Sequence, residues 1–560
     1  MIDQILHDVA FWHTLPADPA RAEAMALIRD FWEKRPNPIP TLPYESRMTF
    51  YKTGDRKALE TPYFAHRDAL TAAAVLALTD PDEEAYLAYT QRMLWAICDE
   101  YSWALPAHTD GTLADDVGNV DLFNAETAMA LAEICYALRE RLDKVVYDRV
   151  TSEIERRIFN TFRTRVSWYE RLHSNWASVC GGCVGRAMML LHPEEFRASL
   201  PRFLHTMKNF IDGFSDEGIC MEGTTYWVYG FSNFVWFADV LYSFTNGQID
   251  LLSGEKVERI AGYLQKSFLK GNTTVSFSDG GRNGMAFDAL QWYLTQKFPQ
   301  SVHLLPQEVS RVWRGNVSWL PLTRSLIYAP PLDVERSLSK QNYDFPKAQQ
   351  CIVNEERYSL FAKAGHNQEE HNHNDVGSFI LATDRGQILC DIGAGLYTRQ
   401  YFRVTMHERY SILCNSSRGH SVPLINGEEQ MMGREHGGSI AHDANRIVIE
   451  MAGAYAVPAL RRLTRVLEYT EAGVTLTDTF EGELDRITER FVSFFEPTVR
   501  ENEVKIANVC VHFDPAEAVL CVHAEEHLDH QGHPVPVYLL DFEVRRGCSS
   551  VRFEMEIEVD

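Results

Sequence analysis

The chain has 560 residues, of which 45% are hydrophobic and 11% aromatic, and its formal net charge is −24. That length leads us to expect two domains, or one large domain with an appendage, and the apolar fraction suffices for full cores. The negative balance argues against nucleic acid, whose phosphates attract a basic footprint, and against an anionic membrane surface.

The N-terminus, MIDQILHDVAFWHTL, has acidic residues early and no sustained apolar stretch, so it does not read as a signal peptide and a cytoplasmic location is expected. No run approaches the roughly 18 apolar residues of a membrane helix. The first half reads as helices. In EAYLAYTQRMLWAI, Tyr86, Tyr89, Met93 and Ile97 share one face. Before it, LTDPDEEA offers Asp80 as a cap, Pro81 in a first turn, and Glu83 and Glu84 at the positive end of the dipole. In TAMALAEICYALRERL, Leu131, Ile134, Leu138 and Leu142 repeat the helical spacing. This periodicity recurs to about residue 300. The eleven cysteines are scattered. Cys180 and Cys183 have CxxC spacing, but no second pair completes a zinc knuckle, and reduced, mostly buried thiols are expected.

The period then changes. SFILATDRGQILCDIG predicts a hairpin turning at Asp384–Gly386, RVLEYTEAGVTLTDTF two strands around a glycine turn, and residues 537–559 two strands joined at Arg546–Ser549. A proline-bearing stretch, 318–337, marks the change. The expected architecture is therefore a helical domain over residues 1–325 followed by an antiparallel β-rich domain over 326–560.

Three segments carry candidate chemistry. HSNWASVCGGCVG (173–185) places Asn175 and Trp176 before paired glycines that allow close packing or a tight turn. MEGTTYWVYGFSNF (221–234) crowds Glu222, Tyr226, Trp227 and Tyr229 around two glycines, a set that suits either core or cleft. HNHNDVGSF (371–379) sets His371, His373 and Asp375 at alternate positions. On an extended backbone His371 and His373 point to one side. The hairpin brings Asp391 back opposite roughly Ser378, within reach of His373, and His420 follows in a polar loop. A His, Asp, His set suits zinc or manganese, and equally a hydrogen-bonded histidine cluster without metal.

Together these segments resemble the heparinase II/III superfamily of polysaccharide lyases. The "NW" before a Gly-rich helix start, EGTTYWVYG, HNHNDVGSFIL, GQILCDIGAGLYTRQYF and RGHSVPLINGEEQ carry the resemblance, with YSWALPAH and DLFNAETA similar to helices that line the cleft. It covers roughly residues 60 to 440. It implies an (α/α) toroid joined to an antiparallel β-sandwich with a cleft between them, acting on uronate-containing glycans by β-elimination. Asn175 then matches the residue that neutralises the substrate carboxylate, Tyr229 the catalytic tyrosine, with Tyr226 a second choice, and His371 the catalytic histidine. His373, Asp391 and His420 match ligands of a structural divalent metal, zinc or else manganese. His108, Trp176, Glu222, Tyr226, Trp227 and Arg399 are the expected substrate contacts. Ala177 stands where some members carry a carboxylate.

Elimination needs the C5 proton removed beside a carboxylate, an amide or imidazolium to hold the growing charge, and an acid for the leaving O4. Asn175, Tyr229 and His371 can supply these. The acidic chain repels polyanions at long range, and Arg163, Arg165, Arg171, Arg399 and Arg403 lie near the key segments to offset this locally, unless they pair with surface acids. Glycosaminoglycan is the expected partner, with alginate or another polyuronate as the alternative. A hydrolase on the same architecture would need two carboxylates, such as Glu222 with Asp116 or Asp121. A binding protein without turnover would use the aromatic rings alone.

Overall fold

The helix expected around residues 127–142 is Leu122–Ala137, and its start is set by a reciprocal cap: the Asp121 carboxylate accepts from the Asn124 N–H, and the Asn124 side chain accepts from the Asp121 N–H. The computed structural model describes residues 5–558. Helix Glu84–Asp99 follows the expected periodicity, but its cap differs. Asp80 closes the preceding helix, Lys57–Thr79, and Glu83 is the N-cap, accepting from Ala85 N at 3.1 Å. Asp80 is spent on the earlier helix because Leu76 O still needs a donor, and the Asp80 N–H supplies it at 2.8 Å.

Helix Asn175–Leu191 is buried along nearly all its length. Its glycines serve close packing. A Cβ at Gly181 would lie 2.8 Å from Thr206 Cγ2, and one at Gly185 would lie 2.7 Å from Phe237 Cε2. Helices Pro193–Asp212 and Ser232–Phe244 approach it there. Cys180 and Cys183 are buried in the same helix, and nine of the eleven thiols are buried. Among the described residues, no helix is long and apolar enough to cross a membrane.

The chain divides into two compact units. The first holds the chain up to Phe214, Trp227–Ala261 and Met285–Leu338. The second holds Ser215–Tyr226, Gly262–Gly284 and the chain from Ser339 on. Two segments of the helical half of the sequence thus belong with the sheets.

The sheets of the second unit are antiparallel throughout. A five-stranded meander runs in chain order from Tyr343–Phe345 to Gly386–Leu389. Its last hairpin pairs Thr383 with Gly386, as expected. Gly386 has φ +108°, a conformation an L side chain rarely adopts. A nine-stranded sheet contains the hairpin Leu460–Thr470 and Gly473–Gly482, flanked by Ser550–Ile557. In Ser550–Ile557, Val551, Phe553, Met555 and Ile557 point inward, while Arg552, Glu554 and Glu556 point out. Strand Pro534–Val544 precedes it in sequence but belongs to a separate four-stranded sheet. One apolar core, including Leu381, Leu463, Phe491, Phe542 and Phe553, is shared by all three sheets.

Inside that core, Arg465, Asp478 and Glu489 are wholly buried together. Burial and the neighbouring Asp478 push the Glu489 carboxyl well up. The remaining Arg465 nitrogen donates to the carbonyls of Gly377 and Ser421, at 2.8 and 2.6 Å. Those carbonyls border the two segments that carry His371, His373 and His420.

Candidate functional site

Each unit holds its own constellation. In the first, Tyr229 sits at the centre of a five-residue π-helical turn, Trp227–Phe231. Such turns reset the facing of side chains and recur at functional sites. The Tyr229 hydroxyl donates to Glu126 Oε2 at 2.9 Å. Burial, opposed by that bond and aided by Asp121, pushes the Glu126 carboxyl up to about 8. Burial and the charge of Glu126 raise the Tyr229 phenol well above its ordinary value, so it stays protonated. Asn175 is the first residue of its helix and only 1% exposed. A Cβ at Gly230 would lie 3.0 Å from Asn175 Cβ, so the missing side chain lets the tyrosine segment close on Asn175. His108 Nδ1 bonds Asp121 Oδ2 at 2.8 Å, and its ring meets Trp176 edge-on at 4.9 Å.

Trp227, expected at the substrate, has no exposed surface, and its indole N–H donates to Ile260 O at 2.8 Å. That side chain is core: a tryptophan whose one donor is satisfied by backbone can be buried whole.

In the second unit, the central residue is one the sequence did not single out. Asp279 accepts from four donors. Its Oδ2 faces His371 Nδ1 at 2.6 Å and the Tyr397 hydroxyl at 2.9 Å. Its Oδ1 faces His373 Nε2 at 3.2 Å and also takes the Tyr401 hydroxyl. Burial opposes ionisation, but the two histidines hold the carboxyl well below the usual range. The expected extended backbone at 371–373 is absent. His371 has φ +58°, a left-handed conformation uncommon for histidine, and the segment is irregular. The two rings converge because they bond opposite oxygens of one carboxylate.

His371 stacks on Tyr226, with centroids 4.0 Å apart, and its Nε2 lies 3.7 Å from Glu222 Oε2. Tyr397 spends its hydrogen on Asp279, so Tyr226 donates to Tyr397, at 2.6 Å. Burial lowers the His371 pKa, but the bond and charge of Asp279, with Glu222, outweigh it and raise the value overall. Asp375 takes no part here; it pairs with Lys363 Nζ at 2.6 Å. The loop is further pinned by Gln430, which accepts from Val376 N at 2.9 Å and donates to Val376 O at 2.7 Å.

His373, Asp391 and His420 are all buried, and one ligand atom from each lies within 4.8 Å of the others. His420 Nε2 must donate to the Cys414 carbonyl, 2.8 Å away, which leaves Nδ1 with a lone pair in the neutral ring. His373 Nε2 donates to Asp279, which likewise frees its Nδ1. These two Nδ1 atoms and Asp391 Oδ2 are buried without a hydrogen bond, His420 Nδ1 lying 3.3 Å from Asp391 Oδ2. Three unsatisfied acceptors, each carried by an oriented side chain, fit a divalent cation.

Of the arginines expected to offset the acidic charge, Arg163 is held by Glu155 and Glu195, Arg403 by Glu408, and Arg165 by the Gly118 carbonyl. Arg399 is exposed. Asp279 was missed because SFSDGG reads as a turn; Glu126 lies within DLFNAETA, whose resemblance to a cleft-lining helix does not single out its acid.

A helical unit and an antiparallel sheet unit of this kind form the architecture of an (α/α) toroid with a β-sandwich. Residues 339–534 match the family model described as Heparinase II/III-like, C-terminal. In fold the chain is similar to a crystal structure of heparinase III, with TM-score 0.65, 12% identity, and coverage of 88% of this chain and 76% of that one. It is similar to the heparan sulfate lyase of Pedobacter heparinus, with TM-score 0.57, 12% identity, and coverage of 96% and 89%. It is also similar to the chondroitin AC lyase of Streptomyces coelicolor A3 in complex with chondroitin sulphate, with TM-score 0.55, 9% identity, and coverage of 100% and 83%. No curated protein matches the sequence.

Proposed function

We propose that the protein is a polysaccharide or oligosaccharide lyase that cleaves uronate-containing glycans, glycosaminoglycans first among them, by β-elimination. The observation that carries this reading is the Tyr229 phenol, kept protonated by burial and hydrogen-bonded to the buried Glu126. The names of the similar structures, heparinase III, heparan sulfate lyase and chondroitin AC lyase, support the substrate class. In this reading the C5–H bond breaks, its electron pair forms the C4–C5 double bond, and the C4–O4 bond breaks with a proton delivered to O4. Tyr229 supplies that proton. The Asn175 amide donates to the uronate carboxylate as charge grows there. The base is His371 Nε2, since Asp279 fixes the hydrogen on Nδ1; on the other C5 epimer, Tyr229 accepts the C5 proton as its own hydrogen passes to O4, so the phenol ends as it began.

We further propose that His373, Asp391 and His420 hold a divalent metal, zinc before manganese. It would tie together the segments that present His371, and its chemistry would be structural. A hydrolase is less well supported. Asp116 is bound by Arg47 and the Thr109 hydroxyl, and Asp121 caps a helix and holds His108.

Incubation with hyaluronan, chondroitin, dermatan, heparin, heparan sulfate and alginate tests the reading. Ultraviolet absorbance from a 4,5-unsaturated uronate is expected with at least one. New reducing ends without that absorbance would establish hydrolysis instead.

A further inference from the structure

A row of rings runs through the first unit from Phe123 to the surface. Phe123 stacks on His108 at 5.4 Å, His108 meets Trp176 at 4.9 Å, and Trp176 meets Trp168 at 4.6 Å. The inner end is fixed, because Asp121 holds His108. At the outer end Trp168 is 46% exposed, although a ring of this size normally hides most of its surface. Trp168 opens a single 3₁₀ turn, Trp168–Arg171, held by the Glu170 carboxylate, which accepts from the Ser167 N–H at 2.7 Å, and by the Glu170 N–H, which donates to Ser167 O at 3.2 Å. Positions i and i+3 of a 3₁₀ turn eclipse, so Arg171 leaves the same side as Trp168.

Arg171 differs from the arginines around it. Arg163 is neutralised by two glutamates, and Arg202 is held by Glu170 and the Phe162 carbonyl. Arg171 is exposed and has no ion-pair or hydrogen-bond partner among the described residues. In a chain of net charge −24, a guanidinium in no ion pair among the described residues stands apart from Arg163 and Arg202; the adjacent Glu170 is taken by Arg202. A flat, partly exposed indole next to an available guanidinium is the chemistry that receives a sugar ring bearing a carboxylate or sulfate: the ring's C–H face covers the indole and the anion meets the fork.

We propose that Trp168 and Arg171 form an outer subsite for one anionic sugar residue of the glycan, continuous through Trp176 with the ground around Asn175. This rests on the glycan reading above but not on turnover. The subsite binds a sugar that is not itself cleaved, and therefore sets the length of oligosaccharide the protein prefers.

The test is binding and cleavage of heparan sulfate, chondroitin sulfate and alginate hexasaccharides and disaccharides by the intact protein, at two salt concentrations. Trp168→Ala should weaken binding of the preferred hexasaccharide by about tenfold or more, the scale of one lost ring-stacking contact. Arg171→Gln should weaken it about threefold to tenfold and flatten its salt dependence. Trp168→Phe should recover part of the loss, and the disaccharide should bind all variants alike. Melting temperatures of the variants separate lost contacts from lost fold. Hexasaccharide affinity within twofold of wild type in both Trp168→Ala and Arg171→Gln overturns the subsite, even if unsaturated product still forms and the lyase reading stands. Wild-type affinity for none of the three hexasaccharides overturns it too. Tight hexasaccharide binding that depends on both residues, without unsaturated product, supports the subsite while the lyase reading fails.

Discussion

The Tyr229 hydroxyl donates to Glu126 at 2.9 Å, and a buried carboxyl at the back of a phenol fixes the phenol's orientation. Removing the hydroxyl in Tyr229→Phe should lower turnover by about 10³-fold while substrate still binds. Tyr226→Phe should cost less, because the Tyr226 hydroxyl is linked to Asp279 through that of Tyr397. Initial rates of unsaturated-product formation decide this, and near-normal turnover in Tyr229→Phe would assign the role to another residue.

The same carboxyl gives a pH signature that needs no substrate. Glu126 titrates near 4.5 when unfolded and at about 8 when folded, because burial disfavours its charge. Between those values the native state keeps a proton that the unfolded chain has released. Its contribution to stability is therefore full below about 4.5, falls as pH rises, and is flat above about 8. Glu126→Gln cannot titrate. Its melting temperature should gain on the wild type from pH 4.5 to 8 and then run parallel, as calorimetry across that range would show. Parallel curves throughout would mean that Glu126 is ionised in the folded protein.

His371 and His373 share Asp279 but should separate cleanly by metal content. His373→Ala removes a ligand, so bound metal and melting temperature should fall together, because a cation that binds only the native state stabilises it by mass action. His371→Ala should keep both and lose turnover. Elemental analysis with melting curves reads the difference. A wild-type protein that binds neither zinc nor manganese would return the site to a histidine cluster.

Asn175→Ala should lower kcat more than it raises KM, since its amide is assigned to charge that grows in the transition state. Steady-state kinetics on the preferred glycan would show it. An effect confined to KM would make Asn175 a plain binding contact.

The helices, the hairpins and the identity of the histidine cluster were legible in the sequence because each is written in a local pattern: apolar spacing, a glycine turn, two imidazoles at alternate positions. The partners were not. Asp279 lies 92 residues before His371 in the chain, in a segment with the composition of an ordinary turn, and only folding brings it to both imidazoles. Trp227 shows the converse. It stands between two tyrosines that face functional groups, yet the π-helical turn sends it into the core. The strands Pro534–Val544 and Ser550–Ile557 read as consecutive, but the choice of sheet depends on partners distant in sequence.

Arg465 links the sheet core to the site by charge. Arg465→Met would strand Asp478 and Glu489 together in the interior, and removing one member of such a cluster costs about 3–5 kcal/mol. Urea unfolding should register that loss, and metal content should drop with it, because the carbonyls of Gly377 and Ser421 lose their common anchor. Unchanged stability would show that Arg465 does not hold the two acids together.

The chain passes between its two units five times, at 214/215, 226/227, 261/262, 284/285 and 338/339. The protein is therefore not a pair of beads that can be parted with one cut. A gene split after residue 325 would deliver the histidines on one fragment and both Asp279 and Glu222 on the other. Neither piece could rebuild the hydrogen-bond network, and complementation would require the first fragment to thread two strips of its own chain into the second. Insertion or deletion at any of the five crossings would be felt on both sides at once. Tandem fusion or domain exchange with another scaffold would succeed only if the whole interlaced stretch, from the first crossing to the end of the sheets, moved as one piece.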